Sequence, residues 1–416
     1  MSEKVDIRNY ISNVINEPVN YKFEPSYDME GEFEQIKALT LEGIPYGDKK
    51  TKIFAYFGLP ARKSNEKVPA IVLIHGGAGH AYGCWVKMWN DLGFAAIAVD
   101  TTGFMPFKRN AGSFEGRADN ECWKRELGDF EEEGFTVGPD NDGMGEIEKP
   151  LEEQWMLHAL SAAIKANNFL RGCPEIDNSN IGVNGISWGG VITSILIGYD
   201  TRFKFAIPVY GSGYIGDGIG SISGCFRRPH SKKLWLAEDN FEKVKIPVLW
   251  LCWNDDSPFS IQSMNLSFKD TVKNNNHTSL IFKNKMMHSH HDGWAPKEIY
   301  KFALSVVGKS SFLPCVIAQP KGKNFSFKMD YHNDISITNA TAYYITSPME
   351  YSRFDKHGCG ERLYMTESWK TVPCNIDNDI ISGNLPDKCT EYYIEITFNN
   401  ENEKMIVCTE FIKCEE

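Results

Sequence analysis

Six short apolar runs, each followed by a longer helical or loop-like stretch, govern what this chain can fold into. They fall at residues 70–75, 94–100, 181–186, 203–210, 246–253 and 279–286. Each has the length of a strand buried on both faces, and most are rich in β-branched or aromatic side chains. The clearest helix lies at 151–171, where Trp155, Leu160, Ile164, Phe169 and Leu170 form an apolar stripe and Pro150 stands near the first turn. Another, at 296–307, is closed by Gly308. Such alternation predicts an α/β fold: a mostly parallel central sheet with helices on both faces.

The flanks read differently. Residues 36–41 and 52–57 enclose a turn and predict an antiparallel hairpin leading into the sheet. Residues 101–148, rich in Gly, Asp, Glu and Asn, are too long for an ordinary connection and predict a functional loop or lid. Beyond 311 the apolar segments 342–345, 392–398 and 405–411 are separated by Asn, Gly, Asp and Pro clusters, the pattern of a small β-sandwich. The expected organisation is therefore a catalytic domain over 1–310, with its hairpin and insert, and an all-β accessory domain over 311–416. A length of 416 residues suits two domains.

A net charge of −11 argues against nucleic acid or an anionic membrane surface as partner. No apolar run is long enough to span a bilayer. The N-terminal residues lack the apolar segment of an export signal, so a cytoplasmic location is expected. The eleven cysteines form no C-x-x-C pair and are expected as reduced thiols, with neither a disulfide framework nor a zinc site.

The chemistry centres on Gly185-Ile186-Ser187-Trp188-Gly189, at the junction of the 181–186 strand and a helix-like segment. G-x-S-x-G puts a serine on a strained strand-to-helix turn, its hydroxyl projecting beyond the sheet. A serine hydroxyl attacks a carbonyl only when a base removes its proton and an acid orients that base. Both follow in the expected order. The 246–253 run ends at Asn254-Asp255-Asp256, and the 279–286 run at Met287-His288. Asp255 is the predicted acid and His288 the predicted base, with His290 as the alternative base. The sequence His288-Ser289-His290-His291-Asp292 also matches the start of a metallo-hydrolase H-x-H-x-D-H run, but Gly293 stands where the last histidine is required. No metal is expected. The loop His75-Gly76-Gly77-Ala78-Gly79 follows the first central run and can supply an oxyanion donor at Gly77, the other being the N–H of Trp188. His75 itself reads as structural.

These motifs resemble the α/β-hydrolase superfamily over about residues 41–308. The segments LIHGGAG, GISWGG, PVLWLCWND and MMHSHHDGWAPKEIYKFA are similar to bacterial acetylxylan esterases and prolyl-oligopeptidase-type, dienelactone-hydrolase-like proteins. That resemblance implies a Ser187–Asp255–His288 triad, although the acid loop here lacks the glycine the family often carries before its Asn-Asp. It also implies a small ester as substrate, acyl transfer through an acyl-enzyme, and no cofactor. A carbohydrate acetyl ester fits this reading, and a homo-oligomer is compatible with it.

Two alternatives stay open. One is a peptidase, in which Glu131 and Glu132 of the long loop bind a free amino terminus; Trp123 in the same loop is a candidate substrate contact. The other is a hydrolase-fold protein that only binds.

Overall fold

The structure, a computed structural model, describes residues 7–77, 79–106, 123–125, 133–135, 138, 145–219, 222–354, 362–365, 367–401 and 403–414. The chain packs as two compact units, residues 1–211 with 225–244, and residues 212–224 with 245–416.

In the first unit the strands are β1 (Tyr21–Phe23), β2 (Lys37–Glu42), β3 (Lys50–Gly58), β4 (Val68–Ile74), β5 (Ala95–Val99), β6 (Phe104–Pro106), β7 (Trp123–Arg125), β8 (Glu133–Phe135), β9 (Ile176–Ile186) and β10 (Phe205–Val209). The sheet runs β1-β2-β3-β5-β4-β9-β10. Its β2–β3 pair is antiparallel with Leu39 opposite Ala55, whereas β4–β5, β4–β9 and β9–β10 are parallel. Every residue of β4, β5 and β10 is buried, as parallel strands covered on both faces require. In the 101–148 stretch, β6 pairs with β7 and β8 joins β3.

The unit's main helices are α1 (Ile7–Asn16), α2 (Gly83–Asp91), α3 (Trp155–Gly172) and α4 (Trp188–Leu196). After β10 the chain makes two short helices, α5 (Ser223–Phe226) and α6 (Pro229–Leu234). Helix α3 departs from the single apolar stripe expected of it: fifteen of its eighteen residues are buried, so it is packed all round. It also starts late. Residues Leu151–Glu153 form a 3-10 turn, and the Glu146 carboxylate accepts the Trp155 N–H at 3.0 Å, ending the turn and opening the helix.

Burial of α3 traps a histidine. His158 donates from Nε2 to the Glu152 carbonyl at 2.7 Å, while its Nδ1 is buried without a partner. Burial lowers its pKa to about 4, below the ordinary value of 6.5. A folded-state pKa below the unfolded one means the unfolded chain binds the proton first. Stability from neutral His158 is therefore complete above about pH 6.5 and drains away as pH falls toward 4, by roughly 3 kcal/mol in all. Urea melts between pH 7 and 4 should show this loss, and His158→Gln should flatten it.

The second unit carries β11 (Leu249–Trp253), α7 (Ile261–Val272), β12 (Ser279–Lys283), α8 (His290–Trp294) and α9 (Lys297–Val306), with β11 and β12 parallel. Antiparallel strands follow: β13 (Cys315–Val316), β14 (Asn324–Asp330), β15 (Ile335–Ile345), β16 (Tyr351–Phe354), β17 (Arg362–Met365), β18 (Lys370–Pro373), β19 (Asn375–Asp377), β20 (Ile380–Asn384), β21 (Glu391–Asn400), β22 (Glu403–Cys408) and β23 (Ile412–Lys413). They form one sheet ordered β18-β15-β21-β22 with β23 on β21, another ordered β13-β14-β20-β19, and a separate β16–β17 pair. Buried Glu298 of α9 accepts both the Lys283 ammonium at 2.6 Å and the Ile406 N–H at 2.8 Å. It closes the base of the loop between β12 and α9 and ties that loop to β22. Among the described residues no helix is long and apolar enough to cross a membrane.

Candidate active site

Strand β9 passes directly into α4 through Ser187, whose backbone sits at φ 58°, ψ −120°. A serine at positive φ is strained by about 1–3 kcal/mol and must be held there by its surroundings. The Ser187 N–H is fixed to the Val209 carbonyl at 2.8 Å. The glycines of the motif leave the room the turn needs. A Cβ on Gly185 would lie 2.0 Å from the Gly189 carbonyl oxygen, and one on Gly189 would lie 2.0 Å from that of Ile74. Neither backbone oxygen can retreat without breaking the turn or the end of β4. Gly189→Ala should cost about 3 kcal/mol of stability in a denaturant melt, and a melt unchanged from wild type would contradict this packing.

Gly189 thus brings the elbow against the loop after β4. The same loop touches Trp188, since a Cβ on Gly77 would sit 3.1 Å from the indole Cδ1. Trp188 is wedged edge-on to Trp155 at 5.5 Å and stacked on Phe226 at 6.0 Å. His75 is occupied on both nitrogens. Its Nε2 accepts the Thr101 N–H at 3.0 Å, which leaves Nδ1–H to donate to the Gly76 carbonyl at 2.7 Å. This imidazole, only 2% exposed, pins the glycine loop to the turn after β5.

In the second unit a histidine and a carboxylate meet. His288 Nδ1 lies 2.7 Å from Asp256 Oδ2. The other oxygen of Asp256 accepts the Phe259 N–H at 2.8 Å. The Phe259 ring lies nearly parallel to the imidazole, at 5.8 Å and 16°. With Nδ1–H directed at a buried carboxylate, Nε2 is the nitrogen left to take a proton.

The carboxylate against His288 is Asp256, not Asp255 as expected. After β11 the chain folds back, Asp256 N–H reaching the Trp253 carbonyl at 3.2 Å. This turn carries Asp256 inward and leaves Asp255 half-buried, accepting the Met365 N–H at 3.3 Å. Burial raises the Asp255 pKa. The sequence signal was available in Asp256-Ser257-Pro258-Phe259, an aspartate opening a proline-containing turn whose later N–H it can cap. His290 begins α8, 6.4 Å from the Trp294 ring, and His291 is exposed. Ser289 caps that helix, its Oγ accepting the Asp292 N–H at 2.9 Å. Among the described residues no group of three or more His, Cys, Asp or Glu side chains could hold a metal ion. Glu131 and Glu132 lie outside the described residues, and for Trp123 only the backbone, in β7, is described.

A parallel sheet whose strand feeds a serine elbow and then a helix defines the α/β-hydrolase fold class. The dienelactone hydrolase family model matches residues 53–293, more than half of the sequence, and the chain belongs to that family. Among solved structures it is similar to an acetyl xylan esterase from Paenibacillus sp. R4, at 17% identity over 72% of this chain and 93% of that one, TM-score 0.50. It is also similar to acetyl xylan esterase 1 from Thermoanaerobacterium sp. JW/SL YS485, at 16% identity, 73% and 94% coverage and TM-score 0.48. A third is an acylaminoacyl peptidase from Pyrococcus horikoshii, at 15% identity, 71% and 42% coverage and TM-score 0.45. No curated protein matches this sequence.

Proposed function

We propose that this chain is a serine carboxylester hydrolase in which Ser187 is the nucleophile, His288 the general base and Asp256 the acid that orients it. The observation that carries the reading is Ser187 itself, a serine held at φ 58° between a buried strand and a helix. Strain of that kind has a use when the hydroxyl must be presented to a substrate. The hydrogen-bonded His288–Asp256 pair supports the base and acid assignments.

In the proposed cycle the Asp256 carboxylate keeps the imidazole proton on Nδ1, and Nε2 takes the proton of Ser187 as its Oγ attacks the ester carbonyl. The N–H groups of Gly77 and Trp188 stabilise the oxyanion, each contributing about 3 kcal/mol. The alcohol leaves with the proton from His288, and a water activated by the same base releases the acid. No cofactor takes part.

A small acetyl ester, including one on a carbohydrate, is the proposed substrate class. The test is a panel of p-nitrophenyl acetate, an acetylated xylo-oligosaccharide and an aminoacyl-proline p-nitroanilide, run with wild type and Ser187→Ala. Serine-dependent turnover of the esters is expected. Preferential cleavage of the anilide would replace the esterase reading with a peptidase one, and no turnover of any substrate would favour a binding protein.

A further inference from the structure

Two thiols of the second unit touch beside β21 and β23. Cys389 precedes β21 and Cys414 follows β23, and their sulfurs are 3.5 Å apart. The terminal strand is otherwise held to β21 by a short ladder, Glu391 opposite Lys413 and Tyr392 opposite Ile412, extended by the Cys414 N–H to the Thr390 carbonyl at 2.7 Å. A disulfide has its sulfurs at ~2.05 Å, so the pair must close by about 1.5 Å. Cys389 is 2% exposed, while Cys414 is half-buried and open to small reagents.

We propose that Cys389 and Cys414 are a redox modification site, forming a reversible disulfide by exchange with a low-molecular-weight disulfide such as oxidised glutathione. The Cys414 thiolate attacks the external disulfide, forming a mixed disulfide and expelling one small thiolate. Cys389 then gives its proton to solvent, attacks Cys414 Sγ and expels the second. One protein S–S bond forms, two thiol hydrogens are lost, and the external disulfide is reduced to two thiols.

The order follows from access, since a small reagent reaches Cys414 first. The second step is the slow one. Burial, with Cys414 as neighbour, pushes the Cys389 thiol up to about 12, so little of it is thiolate near neutral pH. Once closed, the bond staples the last strand across the loop spanning 389–414 and stabilises the fold.

The experiment treats the full chain with oxidised glutathione, quenches by alkylation at intervals and digests it with trypsin without reduction. Trypsin cuts after Lys388, Lys404 and Lys413, so the pair releases peptide 389–404 joined to the peptide that begins at Cys414. A glutathione adduct on Cys414 is expected early and the cross-linked peptide late, with the melting temperature of the oxidised protein raised by several degrees. Cys389→Ser should stop at the adduct and show no such rise. A wild type that keeps the adduct with Cys389 free, or one in which neither thiol reacts, would overturn the proposal.

Discussion

Ser187→Ala should lower kcat for ester hydrolysis by about 10⁶, with His288→Ala alone falling nearly as far. In the proposed cycle the two residues act on one proton and one bond, so the double variant should be no worse than either single change. Alanine keeps the backbone of the elbow, and removing one hydroxyl should leave the melting temperature within a few degrees of wild type. Steady-state rates on p-nitrophenyl acetate, with melts alongside, check both statements. Losses that multiply in the double variant would mean the serine and the histidine serve separate steps. Full activity in His288→Ala would transfer the base role to another residue, with His290 the first to test.

The second large effect separates two adjacent aspartates. Asp256→Asn should reduce kcat by about 10⁴. The asparagine oxygen can still accept the Phe259 N–H, but its amide then faces His288 Nδ1 as a donor. That forces the imidazole proton onto Nε2, which can no longer accept from serine. Asp255→Asn should stay within a few-fold of wild type. It should also hold or raise stability at pH 7: a carboxyl whose folded pKa is raised adds stability at low pH and loses it as the pH climbs through that pKa. A neutral asparagine has no such loss. Equal damage from both changes would contradict the pairing seen around His288.

Much of this was legible in the sequence because strand burial and the serine turn are local in origin. The run at 70–75 became Val68–Ile74 with every residue buried, and the 203–210 run became Phe205–Val209. Periodicity and β-branching report that burial directly. The elbow was legible because its glycines answer to backbone oxygens of the turn itself and of the adjacent strand β4, where no Cβ fits. The carboxylate that meets His288 was harder to read. The run at 246–253 ends where β11 does, at Trp253, but which of two successive aspartates faces inward depends on the hydrogen bond that folds the chain back there. The last central strand likewise ends at Lys283, so His288 lies five residues beyond it in a loop closed by Lys283 and Glu298. That closure pairs residues fifteen apart and leaves no periodic trace. Helix α3 misled for a related reason, because Lys165 and Asn167 are buried among its apolar neighbours and so break the pattern of a two-faced helix.

A nucleophilic Ser187 should be open to covalent capture. The wild-type protein would be treated with a fluorophosphonate, digested, and the adduct located by mass spectrometry. One phosphonylated serine is expected, on the peptide carrying Ser187, with activity lost in proportion to labelling and no adduct in Ser187→Ala. An active protein that takes up no label, or a Ser187→Ala variant that is still labelled and still turns over esters, would contradict it.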